Sequence, residues 1–533
     1  MPTETRTDIS TWSPFRNPIF RALWIANAFS NVGSWMQNTA MAWLMTMLAP
    51  SALMVSLVQV AASFPMFLLA LPAGALADVI DRRKVIILTQ LWMLVSAALL
   101  GVMTILNHTT PTILLLLVLA LGIGMALNAP AWQAIIPELV PREQIPAAVA
   151  LNSAGFNLAR SVGPALGGFV LVLLGAGPTF LINAVSFLGV VAVLLFWKKP
   201  SRESALPAER MMGAMRTGVR YVRHAPALKA VFARALVFVV FASSQMALLP
   251  LFAHSYLHAG SGEYGLLLGA FGLGAVAGAL MLPWIMKISL EALTIIMTVV
   301  FAASLSFLAL VHSLVPDFFA IFFSGAAWLV LLANFNSNVQ SIVPAWVRGR
   351  CLAVYMLIFF GGMAVGSFLW GVAGNLLGIP AALNISAAGM LLGLPATMKL
   401  KMAPADRFDL TPSGHWSMPA LMFEPGPDEG PVLVRVEYRI DPAKWNEFGR
   451  AMRRLRRARL RGGAFRWALF ADLSEPGKYT ETFLIESWLE HLRQHERLTV
   501  ADREIEAIVQ AFHIGKTRPE VSHLLARPLP QEK

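Results

Sequence analysis

Residues 74–84 read GALADVIDRRK, two aspartates, two arginines and a lysine set between long apolar stretches. The chain around them is 57% hydrophobic and 14% charged over 533 residues, with mean hydropathy +0.63. Soluble domains are nearer 45–50% apolar and 25% charged. The excess is concentrated before about residue 400, where runs of roughly 20 apolar residues follow one another, each long enough to cross a ~30 Å hydrocarbon core as a helix. GALADVIDRRK is thus a short charged connection between two membrane spans. After residue 400 the composition becomes that of a soluble domain.

Twelve spans are expected, near 20–47, 53–77, 85–106, 111–134, 146–174, 178–197, 229–257, 262–286, 290–312, 315–340, 350–377 and 380–399. One set of connections carries Arg6, Arg16, Arg21, Arg82, Arg83, Lys84, Arg142, the basic residues of the long 198–228 loop, Lys287, Arg348 and Arg350. The other set carries no lysine or arginine, only His108, His254, His258, His312, Glu263 and Asp317. Cytoplasmic connections are the ones enriched in Lys and Arg. The expectation is therefore a cytoplasmic N-terminus (1–19), a six-helix bundle (20–197), a cytoplasmic loop (198–228), a second bundle (229–400), a linker (401–431) and a cytoplasmic domain (432–533). The N-terminus lacks a cleavable signal pattern, so the first span reads as an anchor. The net charge of +12 follows from this topology and needs no nucleic-acid partner. Cys351, the one cysteine, reads as a small packing residue.

The two bundles look like copies. QAIIPELV (133–140) aligns with QSIVPAWV (340–347), GPALGGF (163–169) with GSFLWGV (366–372), GAL (74–76) with 278–280, and Gln37 with Gln245, all at offsets near 205 and in the same order. Parallel six-helix repeats facing each other across a midplane site are an architecture of secondary transporters. The expected fold class is an all-α polytopic membrane protein of two six-helix repeats with a small α+β cytoplasmic domain.

Gly74-x-Leu76-Ala77-Asp78 followed by Arg82-Arg83-Lys84 resembles the signature of the major facilitator superfamily, G-x-L-A-D-R-x-G-R-R/K, with departures at Val79 and Asp81. The resemblance implies a conformational latch. Gly74 would admit a neighbouring helix, Asp78 would cap the helix beginning near Arg350, and Arg82 and Arg83 would close the cytoplasmic face against acids such as Glu138 or Glu143. SVGPALGG (161–168) resembles the G-P-x-x-G-G motif of exporters in that superfamily. Gly163, Gly167 and Gly168 allow tight helix crossing, Pro164 bends the helix, and the glycine-rich eighth span is the natural partner. Residues ~15–400 are similar to the branch of enterobactin and macrolide exporters, the transmembrane secretion effector type. That implies efflux of a small amphipathic molecule, a siderophore, drug or secondary metabolite, coupled to protons as in superfamily antiporters. An importer on the same fold and a membrane-tethered enzyme are the alternatives.

Intramembrane charge marks function. Arg160 lies about fourteen residues into the fifth span, roughly 20 Å deep. Arg234 lies about one turn into the seventh and can snorkel. Amides at Asn27, Asn31, Gln37, Asn38, Asn128, Gln245, Asn334, Asn336 and Asn338, with Trp24, Trp35, Trp43 and Trp328, would line a polar, nearly neutral cavity. No Asp or Glu falls near a midplane, so a proton carrier would be a span-end acid or would act through Arg160. No G-x-x-x-x-G-K-[ST] phosphate loop is present, which argues against ATP hydrolysis.

In the tail, VLVRVEYRI (432–440) alternates as a half-buried strand, Asp441-Pro442 opens an arginine-rich helix to about 461, strands follow near 464–472 and 479–487, helices at 488–498 and 500–511, and a strand at 519–526. This β-α-β-β-α-β order is ferredoxin-like. It resembles the dimeric antibiotic-biosynthesis monooxygenase domains, which implies dimerisation or binding. Arg450, Arg453, Arg454, Arg457 and Arg461 would flank the helix and meet anionic lipid or solvent. His491 and His495 are spaced i, i+4, but without a third ligand in view they read as solvated, and no metal or cofactor is expected. Replacing Asp78 by Asn should impair export from cells while leaving the protein's yield and thermal midpoint unchanged; normal efflux by that variant would remove the latch reading.

Overall fold

The computed structural model describes residues 11–197, 211–285, 287–400, 409–416, 425–515 and 517–527. Among the described residues are twelve helices of twenty residues or more: α1 (Pro18–Leu48), α2 (Ala52–Val79), α3 (Arg82–Ile105), α4 (Pro111–Leu139), α5 (Ile145–Leu174), α6 (Ala176–Phe196), α8 (Pro226–Ser255), α9 (Ser261–Ile285), α10 (Leu290–Leu310), α11 (Leu314–Ser341), α12 (Ala345–Leu377) and α13 (Ile379–Met398). Among the described residues eleven are long and apolar enough to cross a membrane; α1 is long enough but its amides lower its hydropathy. Their starts are written locally. Asn17 accepts from the Ile19 and Phe20 amides ahead of Pro18, Asp81 from the Arg83 amide, and Thr110 from Ile113 ahead of Pro111.

The duplication read from sequence is present in three dimensions. Gly175 joins α5 to α6 at φ +83°, and Gly378, 203 residues on, joins α12 to α13 at φ +82°, a conformation open to glycine. Thr89 donates to Asn128 between α3 and α4 (3.0 Å), and Asn334 donates to Thr294 between α11 and α10 (3.1 Å). A Cβ at Gly163 would meet the Val32 carbonyl, and one at Gly366 would meet the Val240 carbonyl, again in register. Each half is thus pinned at the same three places.

Two compact units divide the chain: 1–209, 232–335 and 355–399 form one, and 210–231, 336–354 and 400–533 the other. Within the first, the halves meet where small residues remove side chains from the interface. A Cβ at Gly168 would come within 2.6 Å of the Gly265 Cα, and one at Gly272 within 2.5 Å of the Ser161 Cα. Ser161 Oγ donates to the Gly272 carbonyl at 3.0 Å. The helix pairing expected for the Gly163–Gly168 motif is therefore α5 on α9 at Gly168, while Gly163 and Gly167 face α1 at Trp35 and Met36.

The second unit departs from the expected layout. The connection assigned as loop contains α7 (Met211–His224), whose Tyr221 lies edge-on to Trp346 at 5.8 Å. The tail folds as β1 (Val432–Arg439), α14 (Trp445–Gly462), β2 (Arg466–Ala471), β3 (Lys478–Ile485), α15 (Trp488–Arg497), α16 (Val500–Gln510) and β4 (Glu520–Leu525). The sheet order is β2-β3-β1-β4, antiparallel throughout, which is the ferredoxin-like arrangement. The alternating residues Val432, Val434, Val436, Tyr438 and Ile440 pack under Phe448, Met452 and Leu455 of α14.

Substituting Gly272 by Val forces a branched side chain into backbone and should lower stability by about 1–3 kcal/mol. Gly74→Ala meets open space, with no heavy atom of a described residue within 4 Å of the added carbon. Thermal unfolding in detergent should show the first midpoint fall and the second stay; equal midpoints would refute the packing assignment.

Candidate functional site

α1 is occupied on two sides. Val32, Trp35 and Met36 meet α5, and Ala26, Gly33 and Gln37 meet α6. At about 100° per residue, Asn27, Asn31, Ser34 and Asn38 fall in an arc of about 60° that neither helix covers. All four are half-buried. Ser34 was not expected, though its spacing in the 27-31-34-38 series carried the signal. Gln37 departs from the expected lining: it is buried and accepts from Asn183 of α6 at 2.7 Å. Gln245 is likewise buried, donating to Ser324 of α11 at 2.8 Å. Asn128 and Asn334 hold the helix pairs described above, half-buried and buried respectively, and Asn338 is buried with no partner for its amide. A helix pair consumes an amide because the apolar interior offers it few other partners.

Arg160 sits halfway along α5. Leu158, Val162 and Phe169, all exposed, lie within about 20° of the opposite face of the helix. Arg160 therefore lies on the inward side, between the α1 and α9 contacts. Its Nε is buried without a hydrogen-bond partner, and its guanidinium makes no ion pair with any described residue. Asn157, the candidate neighbour, instead donates to the Ser153 carbonyl of its own helix. Arg234, expected to snorkel, is buried 3.5 Å from Glu291 of α10.

The two halves are closed at the end that lacks basic connections. Trp43 of α1 stacks on Tyr264 of α9 (5.6 Å, 23°) and meets His254 of α8 edge-on. Ser51 donates to Asn375, and Gly371 and Gly374 of α12 lie against Ser56, Leu53 and Ala52 of α2. At the other end of α2, Gly74 has open space, so the close approach expected there is not made in this conformation. Trp43 is a closure residue rather than cavity lining. Trp328 belongs to an aromatic cluster with Phe238, Phe271, Phe301 and Phe359, buried among rings 5.7–6.3 Å away.

The latch residues are placed as follows. Arg82 donates to Glu138 at 2.7 Å and to the Ala134 carbonyl at 3.1 Å. Arg83 donates to the Leu195 carbonyl at 3.0 Å. These contacts bind α3 to α4 and α6, inside the first half. The Asp78 side chain lies outside the described residues.

In the tail the organising group is Arg459, absent from the expected arginine face. It continues the buried stripe of Phe448, Met452 and Leu455, which was its signal. Its guanidinium lies between Glu481 (3.3 Å) and Glu506 (3.1 Å). Tyr438 and Trp467 donate to Glu481; Trp416 donates to Glu506, and His415 bonds it at 3.0 Å. Burial pushes the Glu506 carboxyl up, but Arg459 and the bonds from His415, Trp416 and Arg459 more than offset this and hold it at about 2. Arg461, expected on a flank, pairs with Asp502 of α16. The solvated reading of His491 and His495 is also overturned. His491 is fully buried, His495 half-buried, and a third imidazole, His523 of β4, completes a cluster whose ligand nitrogens lie within 4.8 Å of one another. Nothing local announced His523, which is distant in sequence and brought in by the sheet.

Glu506 is depressed from an ordinary 4.5, so its contribution to stability is complete above about pH 4.5 and is lost as pH falls toward 2. Arg459→Met strands both carboxylates and should cost about 3–5 kcal/mol. Tryptophan fluorescence during urea unfolding should show the variant's tail transition at lower denaturant and with a flatter acid dependence; an unchanged transition would contradict the network.

Solved transporters share the membrane fold. A bacterial homologue of the human lysosomal transporter Spinster, in an inward-facing and occupied conformation, superposes with TM-score 0.53 at 16% identity, covering 73% of this chain and 94% of that one. A POT family transporter in complex with a thioalcohol-conjugated peptide gives 0.59 at 14% identity, covering 71% and 95%. Among curated relatives, the staphyloferrin A transporter of Staphylococcus aureus is 25% identical over 66% of this chain and 89% of its own length. The multidrug efflux pump Tap of Mycolicibacterium fortuitum is 23% identical (69% and 91%), and the enterobactin exporter EntS of Salmonella typhi 26% (69% and 89%). The paired six-helix halves, closed at one end by Trp43 and Tyr264, accord with the match of residues 9–529 to a single family: the chain is a member of the transmembrane secretion effector family of the major facilitator superfamily.

Proposed function

We propose that the chain exports an amphipathic organic molecule carrying an anionic group, with Arg160 as the charge that receives it. The observation that carries this reading is the unpaired guanidinium halfway along α5, turned away from lipid. An uncompensated arginine at that depth is costly, and a ligand anion lowers the cost only while it is bound. The polar stripe of Asn27, Asn31, Ser34 and Asn38 would hydrogen-bond the remainder of the molecule. Siderophore and drug transporters among the relatives support a small organic cargo.

The orientation proposed places both termini in the cytoplasm, because every lysine and arginine of the connections lies on that side. The conformation described, closed around Trp43 and open at Gly74, is then the one that loads from the cytoplasm. Alternating access would follow by rocking of one half on the other about the α5–α9 contact.

The proton step is assigned to Asp317, in the first turn of α11. It is fully buried, and neither carboxylate oxygen has a hydrogen-bond partner among the described residues. A carboxyl in that setting is where gain or loss of a proton changes the energy of the fold most. Glu291 and Glu263 are instead engaged, by Arg234 and by the Gly260 amide.

Inverted membrane vesicles energised by respiration should accumulate an anionic siderophore-type or dye substrate. Arg160→Gln should reduce this by roughly tenfold or more while sparing uptake of a neutral analogue, the size expected for one charged hydrogen bond of about 1.5–3 kcal/mol. Asp317→Asn should abolish energised accumulation and leave substrate binding intact. Equal loss of anionic and neutral substrates in the Arg160 variant would overturn its role, and full accumulation by the Asp317 variant would overturn the proton assignment.

A further inference from the structure

We propose that His491, His495 and His523 of the tail bind a divalent first-row transition metal ion. α15 places His491 and His495 one turn apart on one face. His523 stands opposite Val434 in the β1–β4 register, on the buried side of the sheet that the helices cover. Two elements that are remote in sequence, α15 and β4, thus converge on one point.

The spacing is that of a coordination sphere. The Nε2 atoms of His491 and His495 are 3.2 Å apart. Nitrogens held about 2.0–2.1 Å from a tetrahedral ion lie about 3.3 Å from each other. The ligand atoms of all three residues lie within 4.8 Å of one another, so a χ adjustment of the half-buried His523 closes the tripod. The second observation is what the cluster lacks. Nδ1 of His491 and of His495 are buried with no hydrogen-bond partner, and no carboxylate belongs to the set. In the protein alone both Nδ1 atoms are left without a partner while the two Nε2 atoms face each other, an arrangement polar interiors rarely leave.

Donor chemistry fixes the class of ion. Three imidazoles with no oxygen ligand suit Zn²⁺, Co²⁺, Ni²⁺, Cu²⁺ or Fe²⁺ and not Mg²⁺ or Ca²⁺. Three protein ligands leave a fourth position for water or for a donor atom of a bound molecule. Trp416, edge-on to His495 at 4.9 Å, and Trp488, 5.4 Å from His491, wall the site with rings. α15 also carries Arg497, whose guanidinium lies 4.5 Å over Trp346 in the segment that continues into α11 and α12, and Glu490, paired with Arg220 of α7. An ion on His491 and His495 would therefore stiffen the helix that joins these parts of the second unit.

The test uses the full chain, purified in detergent with a tag that contains no histidine, stripped with EDTA and titrated with Co²⁺ and then Zn²⁺. The expected result is one equivalent of Co²⁺ with the visible absorption of a tetrahedral nitrogen site, bleached by Zn²⁺, and slowed amide exchange over 488–497. His495→Ala and His523→Ala should each weaken binding by roughly tenfold or more, while His513→Ala, outside the cluster, should bind as the parent does. Circular dichroism and the thermal midpoint of each variant establish that it is folded, and the half-buried His523 is the substitution least able to disturb the core. Absence of a stoichiometric site in the parent, or binding that survives His523→Ala, would overturn the proposal.

Discussion

The meeting of α5 and α9 with almost no side chain between them is the constraint on which the membrane domain turns. At Gly168 and Gly265, and again at Ser161 and Gly272, backbone lies on backbone, and a serine hydroxyl spans the gap. In lipid there is no hydrophobic force to drive helices together, so close van der Waals approach and an interhelical hydrogen bond must do it. Such a contact is strong at short range, and it lies next to Arg160, the residue before Ser161. The ends of the halves are then free to behave differently: Trp43, His254 and Tyr264 close one, while Gly74 stands open at the other.

A second constraint of the opposite kind organises the tail. Arg459 is buried with two glutamates, whose other partners are the Tyr438 hydroxyl and the Trp467 ring on Glu481 and the His415 and Trp416 rings on Glu506. Charges removed from water demand complete pairing, so this network fixes the relative placement of sheet, α14 and α16 more narrowly than apolar packing would. The same core brings His523 to α15. The family match runs through this domain as well as the spans. Its unit includes α7 and 336–354, the end of α11 and the start of α12.

Much of this was legible in the residues. Spans, basic connections and the β-α-β-β-α-β tail follow from hydropathy, charge and alternation, because a ~30 Å hydrocarbon layer and the period of a strand impose those patterns on any sequence that satisfies them. The internal repeat was faint in sequence yet holds at Gly175 and Gly378, and at the Thr–Asn pairs, where backbone geometry and polar satisfaction permit little drift. The family, too, could be read from short motifs.

Which polar residue faces what was not written there. Gln37 and Asn31 are both amides on one helix, yet one is consumed by Asn183 and the other is left on an open arc, and only the azimuths of α5 and α6 decide between them. Local periodicity says that Arg459 shares a stripe with leucine and phenylalanine, but not that two carboxylates await it there. His523 acquires meaning only when β4 pairs with β1. Sequence alone determined the spans, the repeat and the class of each element, since these depend on contacts a few residues apart. Tertiary structure decided the unpaired arginine, the buried ionic core and the three-imidazole cluster, because each depends on groups the chain separates by tens or hundreds of residues and the fold brings within a few ångströms.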